Sequence, residues 1–196
     1  MEIAERQWLL KKETNLLTKN QYGFLEYKVT QEDMILAKEY VSRNFKNNYL
    51  LNSKTVNGGE QYRIAGQLGE IVFQRLFGKQ AIKSPEKDII YDFILNGKKI
   101  DVKCKCRNVP PKPFFEASVF KYQLDKHFED VDIYVFMSTT KDFKTVWVCG
   151  YLGKAEWTDN PNGKLWKSGE TDPSNNMTFK KDTYSVKYQY LEKFQL

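Results

Sequence analysis

In IDVKCKCR, residues 100–107, Asp101, Lys103, Lys105 and Arg107 alternate with Ile100, Val102, Cys104 and Cys106. Successive strand side chains point to opposite faces. One face is therefore apolar, and the other carries a row of charge that begins with an acid. Upstream, DIIYDFIL (88–95) is joined to KKIDVKCK (98–105) by Asn96-Gly97, the strongest short signature of a two-residue hairpin. Such a turn sets the register: Leu95 opposite Lys98, Ile94 opposite Lys99, Phe93 opposite Ile100 and Asp92 opposite Asp101. Opposed residues hold their Cβ atoms ~4.5–5.5 Å apart, where like charges repel. Two carboxylates so held either share a proton or hold a cation. Oxygen-only donors select a hard ion such as Mg²⁺ or Mn²⁺. An ammonium beside it, Lys103, suits developing negative charge or an attacking water. The same register sets Ile90 against Lys103 and Asp88 against Lys105, which makes Asp88 a neutralised fallback for Asp92.

An Asp-x-Lys on a strand is common, and by itself it reads as a solvated sheet face. The elements around it argue for more. A helix is expected over about 31–47, with Thr30 as N-cap and Asp33 three positions on, and an apolar stripe of Met34, Ile35, Ala37, Tyr40, Val41 and Phe45. Asn57-Gly58-Gly59 should break the chain. A second helix is expected over about 59–77 and stops at Gly78. It carries Arg63, Gln67, Glu70 and Gln74 on one side. Gly66 and Gly69 each cost ~1 kcal/mol against Ala, which points to close packing or to a weaker helix.

After the hairpin, VPPKP (109–113) is an irregular link, and a short helix is expected around 118–127. VDIYVFMS (131–138) is nearly all apolar, as a strand buried on both faces would be. TVWVCGYL (145–152) is a further strand, 158–176 a long loop, and TYSVKYQYL (183–191) a last strand with a short helix. The fold class is α/β or α+β, a mixed central sheet with flanking helices in a single domain, 1–196. Its core spans about 59–152, with an N-terminal helical extension (1–56) and a C-terminal elaboration (153–196).

GQLGE (66–70), YDF (91–93) and IDVKCK (100–105) together resemble the PD-(D/E)XK nuclease superfamily over about half the chain. In that family a helix bearing an acid precedes a hairpin with two acids and a lysine, and a helix and two strands follow. The chain has that order, with Tyr91 where the name-giving proline would stand. The resemblance implies a restriction-endonuclease-like core and a Mg²⁺- or Mn²⁺-dependent nuclease, an endonuclease or an exonuclease, that hydrolyses phosphodiesters in DNA. Asp92 and Asp101 would be metal ligands, with the Val102 backbone carbonyl as a further one. Lys103 would position or activate the water. Glu70 would act on a second metal or through a water, and Gln67 lies on the same helical side as a weaker candidate. The same fold without catalysis, as a nucleic-acid-binding or regulatory subunit, is the alternative.

The formal charge of +6 suits a polyanionic partner without requiring one. Lys105 and Arg107 read equally as a solvated strand end or as phosphate contacts. Trp147 belongs to the core; Trp157 and Trp166 either pack the loop or touch bases, with packing favoured. Three cysteines, Cys104, Cys106 and Cys149, without a C-x-x-C, and one histidine, His127, argue against structural zinc and a Ser-His-Asp triad. The cysteines read as small hydrophobes in a reducing cytoplasm. No apolar run approaches ~18 residues, and MEIAERQWLLKKE lacks a signal-peptide pattern, so no membrane partner is expected. Homo-oligomerisation is left open.

Overall fold

A computed structural model describes residues 16–45, 56–84, 90–126 and 130–194; Asp88 and His127 lie outside the described residues. The hairpin forms where its turn demands. Asn96 (φ 50) and Gly97 (φ 72) both take the left-handed conformation that a primed two-residue turn needs. It joins β4 (Phe93–Leu95) to β5 (Lys98–Arg107) in the register expected, Phe93↔Ile100, Ile94↔Lys99 and Leu95↔Lys98.

The ladder ends there, so the expected pairings of Asp92 with Asp101 and of Ile90 with Lys103 are not ladder pairs. The cause is Asp92 itself. Its amide donates to the Ile100 carbonyl at 2.8 Å, and its own carboxylate then accepts from the Val102 amide at 2.8 Å. A side chain thus takes the place of the next strand residue. On its other flank β5 pairs in parallel with β7 (Ile133–Thr140) from Ile100 to Arg107. Among the described residues, one edge of β5 is therefore without a strand partner beyond Ile100.

The main sheet also contains β1 (Leu17–Lys19), β2 (Leu25–Lys28), β3 (Ala81–Lys83) and β8 (Thr145–Gly153). Its seven strands run in the order β1-β2-β8-β7-β5-β4-β3. Every neighbouring pair except β5–β7 is antiparallel, so the sheet is mixed. The N-terminal segment is only partly helical: β1 and β2 extend the sheet through β8 before α1 (Gln31–Phe45) begins. Thr30 and Asp33 cap α1 reciprocally. The Asp33 amide donates to Thr30 Oγ1 at 3.1 Å, and the Thr30 amide donates to Asp33 Oδ2 at 3.0 Å. Of the expected apolar stripe, Ala37 and Val41 are buried, whereas Ile35 and Tyr40 are exposed.

The second helix, α2 (Val56–Phe77), starts before Asn57-Gly58-Gly59 rather than after it. Amides of a first turn have no intrahelical partner in any case, so glycines interrupt little there. Leu68, Val72 and Leu76 face the core. The two internal glycines differ. A Cβ on Gly69 would stand 2.6 Å from the Cys104 Cβ, whereas one on Gly66 would meet nothing within 4 Å. Close packing on β5 therefore explains Gly69 alone.

A second sheet, β6 (Glu116–Phe120), β12 (Thr183–Lys187) and β9 (Gly163–Trp166), is antiparallel in the order β6-β12-β9. It covers the face of the main sheet away from α1 and α2. The helix expected at 118–127 shrinks to α3 (Lys121–Lys126), because Ala117 and Val119 alternate into the core as a strand. The expected loop at 158–176 is structured too. It follows α4 (Ala155–Thr158) and contains β9 and β10 (Thr171–Asp172), which pairs with β11 (Met177–Thr178). Aromatic rings hold it down. Trp157 is buried, Trp166 stacks on Phe179 at 4.7 Å, and the Trp166 indole donates to Ser185 Oγ at 2.9 Å.

Two hydrophobic cores result, one on each face of the main sheet. β7 serves both, with Ile133, Val135 and Met137 in one and Tyr134 and Phe136 in the other. That explains its nearly unbroken apolar sequence. Among the described residues no helix is long and apolar enough to cross a membrane.

Candidate functional site

The open edge of β5 gathers the acids. Strand backbone groups alternate between neighbours. Ile100 and Val102 point their amide and carbonyl groups toward the β4 side, whereas Lys99 exchanges bonds with Asp132 on the β7 side. With β4 ended, the Val102 carbonyl faces the same edge as the Asp92 carboxylate. Asp92 reaches that edge from the residue before β4. Asp101 and Lys103 rise from one face of β5, two residues apart; α2 packs on the other face, over Val102 and Cys104, and Glu70 approaches the edge from there.

Asp101 is 6% exposed, and its Oδ2 lies 2.6 Å from the Lys103 ammonium. Glu70 accepts from Gln67 Nε2 at 2.6 Å and pairs with Lys83 at 3.2 Å. Burial pushes the Glu70 carboxyl above its usual value against the pull of Lys83 and Gln67, and the Asp101 charge adds to the rise. Among the described residues, the Asp92 carboxylate has one hydrogen-bond partner, the Val102 backbone amide. Burial, then the charges of Asp101 and Glu70, push its carboxyl up to about 8. Three acids feel one another, and among the described residues the third has no cation paired with it. Two carboxylates in one site raise one of the pair in this way.

At neutral pH the raised Asp92 carboxyl favours its protonated form. Among the described residues no three His, Cys, Asp or Glu side chains stand as a ready-made metal-holding group. Lysines already occupy Asp101 and Glu70. The donor set is nonetheless oxygen-only and electrostatically short of positive charge at Asp92, which fits a hard divalent ion in exchange for the proton.

Gln67, 9% exposed, orients Glu70. Lys105 and Arg107 are not a solvated strand end. The Lys105 ammonium donates to the Glu116 carbonyl at 3.1 Å and to Ser118 Oγ at 2.7 Å. Arg107 donates to Ser138, Tyr188 and the Glu116 carbonyl, with its guanidinium over the rings of Phe115 and Tyr188. Both reach from β5 to the second sheet and the turn after it. Sequence reasoning missed Lys83, the partner of Glu70. It ends a three-residue strand, too short for its pattern to mark a site.

No family model matches the chain, and no curated protein matches it.

Proposed function

We propose that this chain is a metal-dependent nuclease that hydrolyses phosphodiester bonds, with DNA as its substrate. The observation that carries the reading is the meeting of Asp92, Asp101, Glu70 and Lys103 at a stretch of β5 that, among the described residues, has no strand partner on that side. A solvated sheet face would not bury Asp101 or bring the charge of Glu70, from the helix on the other face, to bear on Asp92. The order α2, β4–β5 hairpin, α3, β7, β8 is also that of the PD-(D/E)XK resemblance, and supports a core of that kind.

Asp92 and Asp101 would hold Mg²⁺ or Mn²⁺, with the Val102 carbonyl at the same edge and Glu70 as accessory acid. The ion, when bound, polarises a phosphoryl oxygen and lowers the pKa of water. Asp92 gives up its proton to become a ligand. Lys103, already on Asp101, supplies a positive charge two residues from that acid, where it would orient the attacking water and balance charge on the phosphate. Gln67 holds Glu70 in place.

The two lysine pairs favour one rival, a subunit of the same fold that binds nucleic acid without cutting it, because Asp101 and Glu70 are neutralised without an ion. One assay separates the readings. Supercoiled, linear and single-stranded DNA are incubated with wild type, Asp101→Ala and Lys103→Ala, with and without Mg²⁺ or Mn²⁺. Metal-dependent cleavage lost in both variants supports the enzyme. Equal degradation by all three proteins, or binding without cleavage, overturns it.

A further inference from the structure

We propose that the cavity beyond the open edge of β5 is a nucleotide pocket, which seats one unstacked nucleotide, base and phosphate, of the strand bound at the acids. This rests on the nuclease reading for its substrate, but not for its chemistry. The cavity holds about 580 Å³, enough for a nucleotide. Its wall begins at Lys105, two residues past Lys103 on the same face of β5, and continues through Arg107.

Charge on this wall is unbalanced. Lys105 and Arg107 are partly withdrawn from water, and among the described residues neither forms an ion pair. Lys105 uses two of its three donors, and Arg107 leaves both Nη1 donors unused. Burial, with Arg107 beside it, holds the Lys105 ammonium down to about 8. Lys141 and Lys187 add positive charge at the lining, against Glu116 and Asp172. Asp172 is engaged locally, accepting from the Ser174 amide and Asn175 Nδ2, both at 2.8 Å. Four cations against two acids, with Lys105 and Arg107 partly withdrawn from water, favour an anionic ligand.

The same wall carries rings. Tyr62 and Phe114 line the cavity and are 64% and 56% exposed, and Phe115 lies against Arg107. Aromatic faces beside cations suit a base joined to its phosphate, and a stacked base cannot enter a cavity. Tyr62, Gly66 and Glu70 lie four apart on one stripe of α2, ~12 Å end to end. Between ring and acid, Gly66 leaves open space. Asp101 to Arg107 spans ~20 Å of strand, the reach of a few nucleotides.

The test is calorimetric titration in EDTA, where cleavage cannot intervene, with the four deoxynucleoside 5′-monophosphates and with inorganic phosphate. Wild type should bind at least one nucleotide saturably and at least tenfold more tightly than phosphate. Lys105→Met and Phe114→Ser should each weaken it at least tenfold. Phe114 is exposed, so its variant stays informative if the lysine variant fails to fold. No saturable binding, equal binding of phosphate and nucleotide, or an unaffected Phe114→Ser overturns the pocket. DNA cleavage with no nucleotide binding sinks the pocket alone, and nucleotide binding with no cleavage sinks the nuclease reading alone.

Discussion

Asp92→Asn isolates the electrostatic cost of the site. The variant keeps an oxygen for the Val102 amide but removes a negative charge that burial and its neighbours disfavour. In wild type the folded-state carboxyl titrates at about 8 against an ordinary 3.8. The folded protein therefore holds a proton that the unfolded chain has released, and stability falls as pH rises from about 4 to about 8. At 1.36 kcal/mol per unit, the ceiling on this loss is about 4 kcal/mol at pH 7 and about 6 kcal/mol well above pH 8. Relaxation and water at the open edge reduce it, and about half is a realistic size. Urea unfolding in EDTA at pH 4.5, 7 and 8.5 reads it directly. The variant should match wild type at pH 4.5 and exceed it by about 3 kcal/mol at pH 8.5, a midpoint shift of roughly 1–1.5 M at ordinary urea slopes. Saturating Mg²⁺ should close that gap by stabilising wild type alone, since it replaces the proton. A wild-type-minus-variant difference that stays flat across this range refutes the account of the acid cluster.

Asp101→Ala and Lys103→Ala should each lower metal-dependent cleavage by at least ~100-fold, with circular dichroism unchanged. Gly69→Ala should lower stability by about 1–3 kcal/mol, because its methyl would meet the Cys104 Cβ at 2.6 Å. Gly66→Ala, facing open space, should raise stability by up to ~1 kcal/mol, and thermal melts of the pair settle the sign. Asp33→Ala should cost about 3 kcal/mol or more, since it strips the buried bonds from Tyr27, Thr30 and Arg75. Burial would raise the Asp33 carboxyl, but those bonds outweigh it and hold it below its usual value. Its stabilisation is therefore present above pH ~4 and lost as pH falls through the depressed value, which acid titration of wild type and variant would detect.

Local signals account for much of what could be read in advance. Asn96-Gly97, the Thr30–Asp33 box, the unbroken apolar run of β7 and the burial of Trp147, Trp157 and Trp166 all appear as their sequences imply. The misses share one cause. Residues 116–120 and 163–166 are short segments whose strand character comes from pairing with β12, some 20 to 70 residues away, so a local pattern cannot reveal them. Likewise Lys105 and Arg107 carry the pattern of a solvated row until β6 and Tyr188 are brought over them.

By itself the sequence determined the tight turn, and with it the register that brings Asp92 near Asp101, because turn geometry and alternation are local properties of a few residues. Only the tertiary structure decided that α2 brings Glu70 to the edge beside Asp92 and that the cationic end of β5 becomes the wall of a cavity. Those outcomes depend on which distant surfaces lose water together, and which surfaces meet is not written in neighbouring residues.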